Sequence, residues 1–119
     1  RVPLSTAAIA VLDHRKALAR HPSLVFPSPK GKVLTDMAMT SLMRKNKVAS
    51  DTPDRTATVH GFRSSFRDWA SENGYPSDLA ERALAHIIRN QSEAAYHRTD
   101  LLEERRPMME AWGVHVCQK

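Results

Sequence analysis

The sequence predicts a mainly α-helical protein with at most minor β structure. No segment alternates polar and apolar residues with a period of two. Several segments instead repeat apolar residues every three or four positions, the spacing of one helix face. Most of these open on a capping residue or close on glycine. With 119 residues, 41% of them hydrophobic, the chain suits one domain with a modest core.

Ser5 is a good N-cap for a first helix running to about Arg20, with Ile9, Leu12 and Ala19 on its apolar face. Leu24-Val25-Phe26, closed by Pro27-Ser28-Pro29, predicts a single turn or a stub of strand. Thr35 or Asp36 can cap a second helix whose buried stripe is Met39, Leu42 and Met43. Residues 46–57 are polar, contain Pro53 and predict a loop. A third helix starts near His60 and stops at Asn73-Gly74, where glycine accepts a left-handed backbone. Its apolar face is Phe62, Phe66, Trp69 and Ala70, with Arg63 and Arg67 one turn apart on the adjoining stripe. A fourth helix opens at Pro76-Ser77-Asp78, carries Leu79, Ala83 and Leu84, and gives way between His86 and Arg89. A short helical turn over Ser92–Arg98 includes Tyr96. The last helix begins near Asp100, which forms a capping-box pattern with Glu103. Pro107 inside it removes a backbone donor and predicts a kink or restart.

The chain carries 18 Lys and Arg against 13 Asp and Glu. Residues 1–50 hold nine basic side chains and two acidic ones, a balance of +7, and residues 51–119 hold nine against eleven. An excess of positive charge confined to one half points to a polyanion, most simply nucleic acid. Aromatic residues are only 6% of the chain, and none lies in a basic stripe, which disfavours a stacking platform for single strands. No apolar run approaches the roughly 20 residues of a membrane-spanning helix, and Arg1–Ser5 has no signal-peptide pattern. The lone Cys117 excludes a disulfide framework within the chain and a cysteine-based zinc site. The expectation is a cytoplasmic protein. The first residue is Arg rather than Met, and a fragment of a longer polypeptide is expected.

The four glycines are scattered and form no phosphate loop, and the six histidines form no zinc-binding pair. The informative stretch runs from Thr58 to Trp112. It contains His60-Gly-Phe-Arg63, then Leu84-Ala-His86, then Ala95-Tyr96-His-Arg98, then Asp100-Leu-Leu-Glu-Glu-Arg-Arg. His60 and Arg63 on one helical face can meet one phosphate, for which the arginine fork is well suited. His86 can donate to the same group, and Tyr96 can bring its hydroxyl close. Taken singly, each has a plainer reading: a surface His-Arg pair, a half-buried histidine, and a core tyrosine with its hydroxyl at the surface.

Together, in this order and spacing, they resemble the C-terminal catalytic region of the tyrosine recombinases, the phage integrase family. The similarity is closest to the P4-type integrases of prophages and genomic islands, through Leu84-Ala-His86, Ala94-Ala-Tyr96-x-Arg98 and Leu101-Leu-Glu-x-Arg-Arg-x-Met-Met-Glu-Ala-Trp112. Val2-Pro3-Leu4-Ser5 before a helix and Leu24-Val25-Phe26-Pro27 also fit. The resemblance implies a helical fragment of the DNA breaking-rejoining enzyme fold, residues 1–119 being the C-terminal part of its catalytic domain. It implies site-specific integration or excision of a mobile element through a 3′-phosphotyrosyl intermediate, with neither metal nor ATP.

By the same resemblance Tyr96 is the nucleophile and Arg63 the second catalytic arginine. His60 assists proton transfer, and His86 hydrogen-bonds the phosphoryl oxygens. Arg98 flanks the nucleophile. DNA contacts are expected from Arg67 and from the basic first half, including Arg44, Lys45 and Lys47. The implied partners are double-stranded attachment sites, further copies of the protein in a tetramer on DNA, and accessory DNA-bending or excision factors. The family's first arginine and its lysine lie upstream in its pattern, so the 119 residues alone are expected to be inactive. Three rival readings are a non-catalytic DNA-binding module or decayed integrase, a type IB topoisomerase and a helical interaction domain.

Overall fold

The structure, a computed structural model, describes residues 1–18, 21–86 and 99–118. Among these it is mainly α-helical: α1 (Thr6–Ala17), α2 (Met37–Lys45), α3 (Gly61–Glu72), α4 (Ser77–Ala83) and α5 (Leu102–Cys117). The described residues contain no strand, and one antiparallel bridge joins Ala49 to Thr56. The chain forms two compact units, residues 1–10 with 66–119 and residues 11–65, whose boundaries fall within α1 and α3.

The first unit holds the core. Phe66, Trp69, Ala70, Leu79, Ala80 and Met108 are buried together, with Tyr75, Leu84, Leu101 and Trp112 among the residues packed around them. Trp112 meets Phe66 edge-on, their ring centres 5.4 Å apart, and lies 5.2 Å from Trp69. Such aromatic pairs add directional attraction to the burial of their large surfaces.

The stop of α3 follows from its sequence. Gly74 adopts φ +72°, the Tyr75 amide donates to the Ala70 carbonyl at 2.9 Å, and the Gly74 amide donates to Ser71 at 3.1 Å. This double closure is a Schellman motif. Its apolar contact is present too: the Tyr75 ring lies 5.3 Å from that of Trp69.

At the other end of the chain, Ser5 caps α1 by accepting the Ala8 amide at 3.2 Å. Glu110 accepts the Thr6 amide at 2.7 Å. Gly113 of α5 lies against Ser5, so close that a β-carbon there would stand 2.5 Å from the serine oxygen. Arg105 is 4% exposed. It donates to the Arg1 carbonyl at 3.1 Å and lies 3.8 Å from Asp100, which also takes a two-pronged pair from Arg1 at 3.0 Å per contact.

In the second unit Met43 is buried. The Arg15 guanidinium lies 5.5 Å above the centre of the Phe26 ring, a cation–π arrangement. His21 Nδ1 accepts the amides of Ser23 and Leu24 at 3.2 and 3.0 Å.

Several sequence expectations are corrected. Ile9, Met39, Leu42 and Phe62 are exposed rather than buried. Helical periodicity names a face, and on α2 and α3 only part of it is covered: Met43, Phe66, Trp69 and Ala70 are buried while their face-mates stay open. Helix α1 ends at Ala17, short of Arg20. Leu24–Phe26 forms bends rather than a strand or a helical turn. The loop at 46–57 is pinned into a narrow antiparallel turn, with the Ala57 amide donating to Val48 at 2.8 Å and the Ser50 amide to Arg55 at 3.0 Å. The Asp100–Glu103 box does not form. Leu101 is the N-cap of α5, in the left-handed region, Asp100 accepts the Leu102 amide at 3.3 Å, and Glu103 pairs with Arg106 at 2.9 Å. Pro107 does not interrupt α5. It is exposed, so the carbonyl left without a donor one turn earlier can be hydrated.

Candidate active site

His60 stands just ahead of α3, and a local device fixes that junction. Thr58 takes the Gly61 amide through both its carbonyl and its hydroxyl oxygen, each at 3.0 Å. The His60 carbonyl takes the Arg63 amide at 3.0 Å. A threonine oxygen on the amides that open a helix is a favoured cap. His60 therefore sits exposed at a helix N-terminus, with Arg63 half-buried in the first turn. Backbone amides and the helix dipole favour an anion there. These residues lie in the second unit.

In the same unit Arg44, Lys45 and Lys47 are all exposed. Arg44 and Lys45 occupy the last turn of α2, where the dipole favours cations. Lys47 follows at φ +48°, past Asn46, whose side-chain amide donates to Leu42 at 2.8 Å.

His86 lies in the first unit and is held by its backbone and its ring. The end of α4 is a second Schellman closure. The His86 amide donates to Glu81 at 3.0 Å and the Ala85 amide to Arg82 at 3.1 Å. The left-handed position is filled by Ala85, at φ +53°. The His86 Nδ1 atom bonds the Glu81 carboxylate. The other Glu81 oxygen takes Arg67 Nε at 3.0 Å, and Arg67 donates further to Ser77 Oγ at 2.7 Å. Hydrogen bonding to His86 holds the Glu81 carboxyl below the usual carboxylate range, Arg67 adding to the shift against partial burial.

Arg67 is thus engaged inside the unit as the anchor of Glu81. Glu81 and Ser77 are the site residues that sequence reasoning missed. The available signal was weak: Glu81 lies five residues before His86, which reads as opposite faces of a helix until the left-handed residue folds the chain back. Tyr96, Arg98 and the expected turn over Ser92–Arg98 lie outside the described residues.

The described geometry therefore offers an arginine and a histidine at a helix N-terminus in one unit, and a carboxylate-held histidine in the other. Over nearly its whole length the chain is similar to phage-type integrases. It is 36% identical to prophage integrase IntA of Escherichia coli strain K12 over 112 residues, 94% of this chain and 26% of that protein. It is 37% identical to the integrase of enterobacteria phage P4 over 119 residues, 97% of this chain and 26% of that protein. The integrase of Shigella phage Sf6 is 36% identical over 60 residues, half of this chain. The chain spans about a quarter of the length of the first two. No family model and no solved structure matches the chain.

Proposed function

We propose that this chain is the part of a tyrosine site-specific recombinase that carries the nucleophile, the second arginine and two histidines. The reaction integrates or excises a mobile element at double-stranded attachment sites. The Tyr96 oxygen attacks a scissile phosphate and displaces the 5′-hydroxyl, leaving a 3′-phosphotyrosyl link. Attack by the 5′-hydroxyl of a partner strand reverses the step and rejoins DNA. Bond energy stays in the covalent link. Arg63 offsets the charge on the phosphoryl oxygens as it grows in the transition state. His60 assists proton transfer, and His86 meets the phosphoryl oxygens. Arg98, beside Tyr96, positions the nucleophile, and Arg44, Lys45 and Lys47 contact backbone phosphates. Copies assemble on paired sites as a tetramer, with accessory DNA-bending factors.

The observation that carries this reading is the extent of the similarity. A match over 97% of the chain spans His60, Arg63, His86 and Tyr96 together. The fixed helix N-terminus below His60 and Arg63 suits an anion and adds support.

The test is covalent trapping on a nicked attachment-site duplex, using an integrase-length chain that carries this segment. A protein–DNA band that survives a denaturing gel is expected, and it is lost in Tyr96→Phe. Arg63→Ala lowers its rate of formation by about 10²–10³, the scale for removing one such donor, with unchanged circular dichroism. The 119 residues alone give no band. A band that persists in Tyr96→Phe removes the nucleophile assignment. A folded, DNA-binding chain with no band is a binding module rather than an enzyme.

A further inference from the structure

We infer that Glu81 is a positioning residue for His86: its carboxylate holds Nδ1, so that Nε2 is the nitrogen left to face the phosphodiester, while Arg67 and Ser77 hold Glu81. The inference deepens the proposed function and rests on its reading of His86.

The arrangement is a relay of contacts within one unit. Ser77 Oγ takes one nitrogen of Arg67 at 2.7 Å. Arg67 Nε donates to one oxygen of Glu81 at 3.0 Å. The second Glu81 oxygen bonds His86 Nδ1. The Glu81 carbonyl also takes the His86 amide at 3.0 Å, so ring and backbone of His86 are tied to one residue. The left-handed Ala85 is what turns the chain back far enough for both ties. A non-glycine residue in that region is conformationally costly and marks a place where the surroundings determine the backbone.

Stability does not account for the pair. The His86 and Glu81 side chains are 44% and 34% exposed, and ion pairs that open to water contribute little. Its chemical effect is sharper. An ionised carboxylate only accepts hydrogen bonds, so the shared proton belongs to Nδ1. A neutral imidazole in water favours the proton on Nε2, and Glu81 reverses that preference. The neutral ring then presents a lone pair at Nε2, and the protonated ring presents an N–H there. Glu81 behind Nδ1 thus leaves Nε2 to meet a phosphoryl oxygen, the logic by which an orienting carboxylate sets a working histidine.

The test reads the tautomer and the reaction separately. ¹⁵N NMR of the 119-residue chain, at a pH where His86 is neutral, is expected to show the Nδ1–H form in the wild type. Glu81→Gln returns the ring to a mainly Nε2–H population, with the backbone amide spectrum otherwise kept. In an integrase-length chain, Glu81→Gln lowers the single-turnover cleavage rate at saturating DNA at least tenfold and leaves the DNA Kd unchanged. In a His86→Ala background the same substitution has no further effect, because Glu81 acts through that ring. A wild-type ring protonated on Nε2, a tautomer indifferent to Glu81→Gln, or fully additive losses would each overturn the inference. Wild-type cleavage by His86→Ala overturns instead the reading of His86 on which the inference rests. That case is recognised by a tautomer that still switches.

Discussion

Glu81 shows how much one side chain can organise. It receives Arg67 at one oxygen and His86 at the other, and its carboxyl is held below the usual range by the histidine first and the arginine second. A carboxyl depressed in the folded state contributes stability above its unfolded pKa and loses it as pH falls through the folded value. Acidification from the usual carboxylate range downward is therefore expected to lower the urea midpoint of the wild type. Glu81→Gln loses the part of that slope that Glu81 supplies. The pair is open to water, so that part is small, and equal slopes in the two proteins would mean that Glu81 supplies none of it. None of this was legible at the residue scale of the sequence. Arg67 reads as a free cation on a helix stripe until its partner 14 residues away is seen, whereas the placing of Arg63 and His60 at the start of one helix follows from local spacing.

Helix ends were legible because their chemistry is local. Ser5 caps α1 and Gly74 stops α3 where their residue types predict. The end of α4 was not, since alanine gives no warning of a left-handed backbone. Ala85→Gly should relieve that cost and stabilise the protein by about 0.5–1 kcal/mol, measured as a higher denaturant midpoint at unchanged slope. Packing of one element on another is felt most at Gly113. A β-carbon there stands 2.5 and 2.6 Å from the Ser5 side chain, and Ser5 is 8% exposed, so little room exists for it to yield. Gly113→Ala is expected to cost about 1–3 kcal/mol, the usual scale for overpacking, despite the better helix propensity of alanine. An unchanged thermal midpoint would mean that α5 and the start of α1 separate readily.

At the scale of the molecule, composition and periodicity gave the helical class, and Phe66, Trp69 and Ala70 were recognisable as core from α3 alone. Phe62, Met39 and Leu42 share that periodicity and yet are exposed. Amphipathic spacing says which residues travel together, and only the partner surface says whether they are covered. The division into two units was likewise hidden, because one of them is assembled from residues 1–10 and 66–119. Of the basic residues in the first half, Arg44 and Lys45 at the end of α2 and Lys47 just past it stand exposed. The core of the first unit is aromatic and concentrated on α3, α4 and α5, close to the backbone turn that presents His86.

The seat of Ser5 on Gly113 also sets a timetable. On the ribosome residues 11–65 are contiguous and can collapse as they emerge, since domains fold as units when their residues become available. The first ten residues must wait for a partner made 108 positions after Ser5. Contacts of such sequence separation are the slow ones in folding. Residues 1–10 are consequently made well before the helix they pack on and are among the last of these residues to find their place.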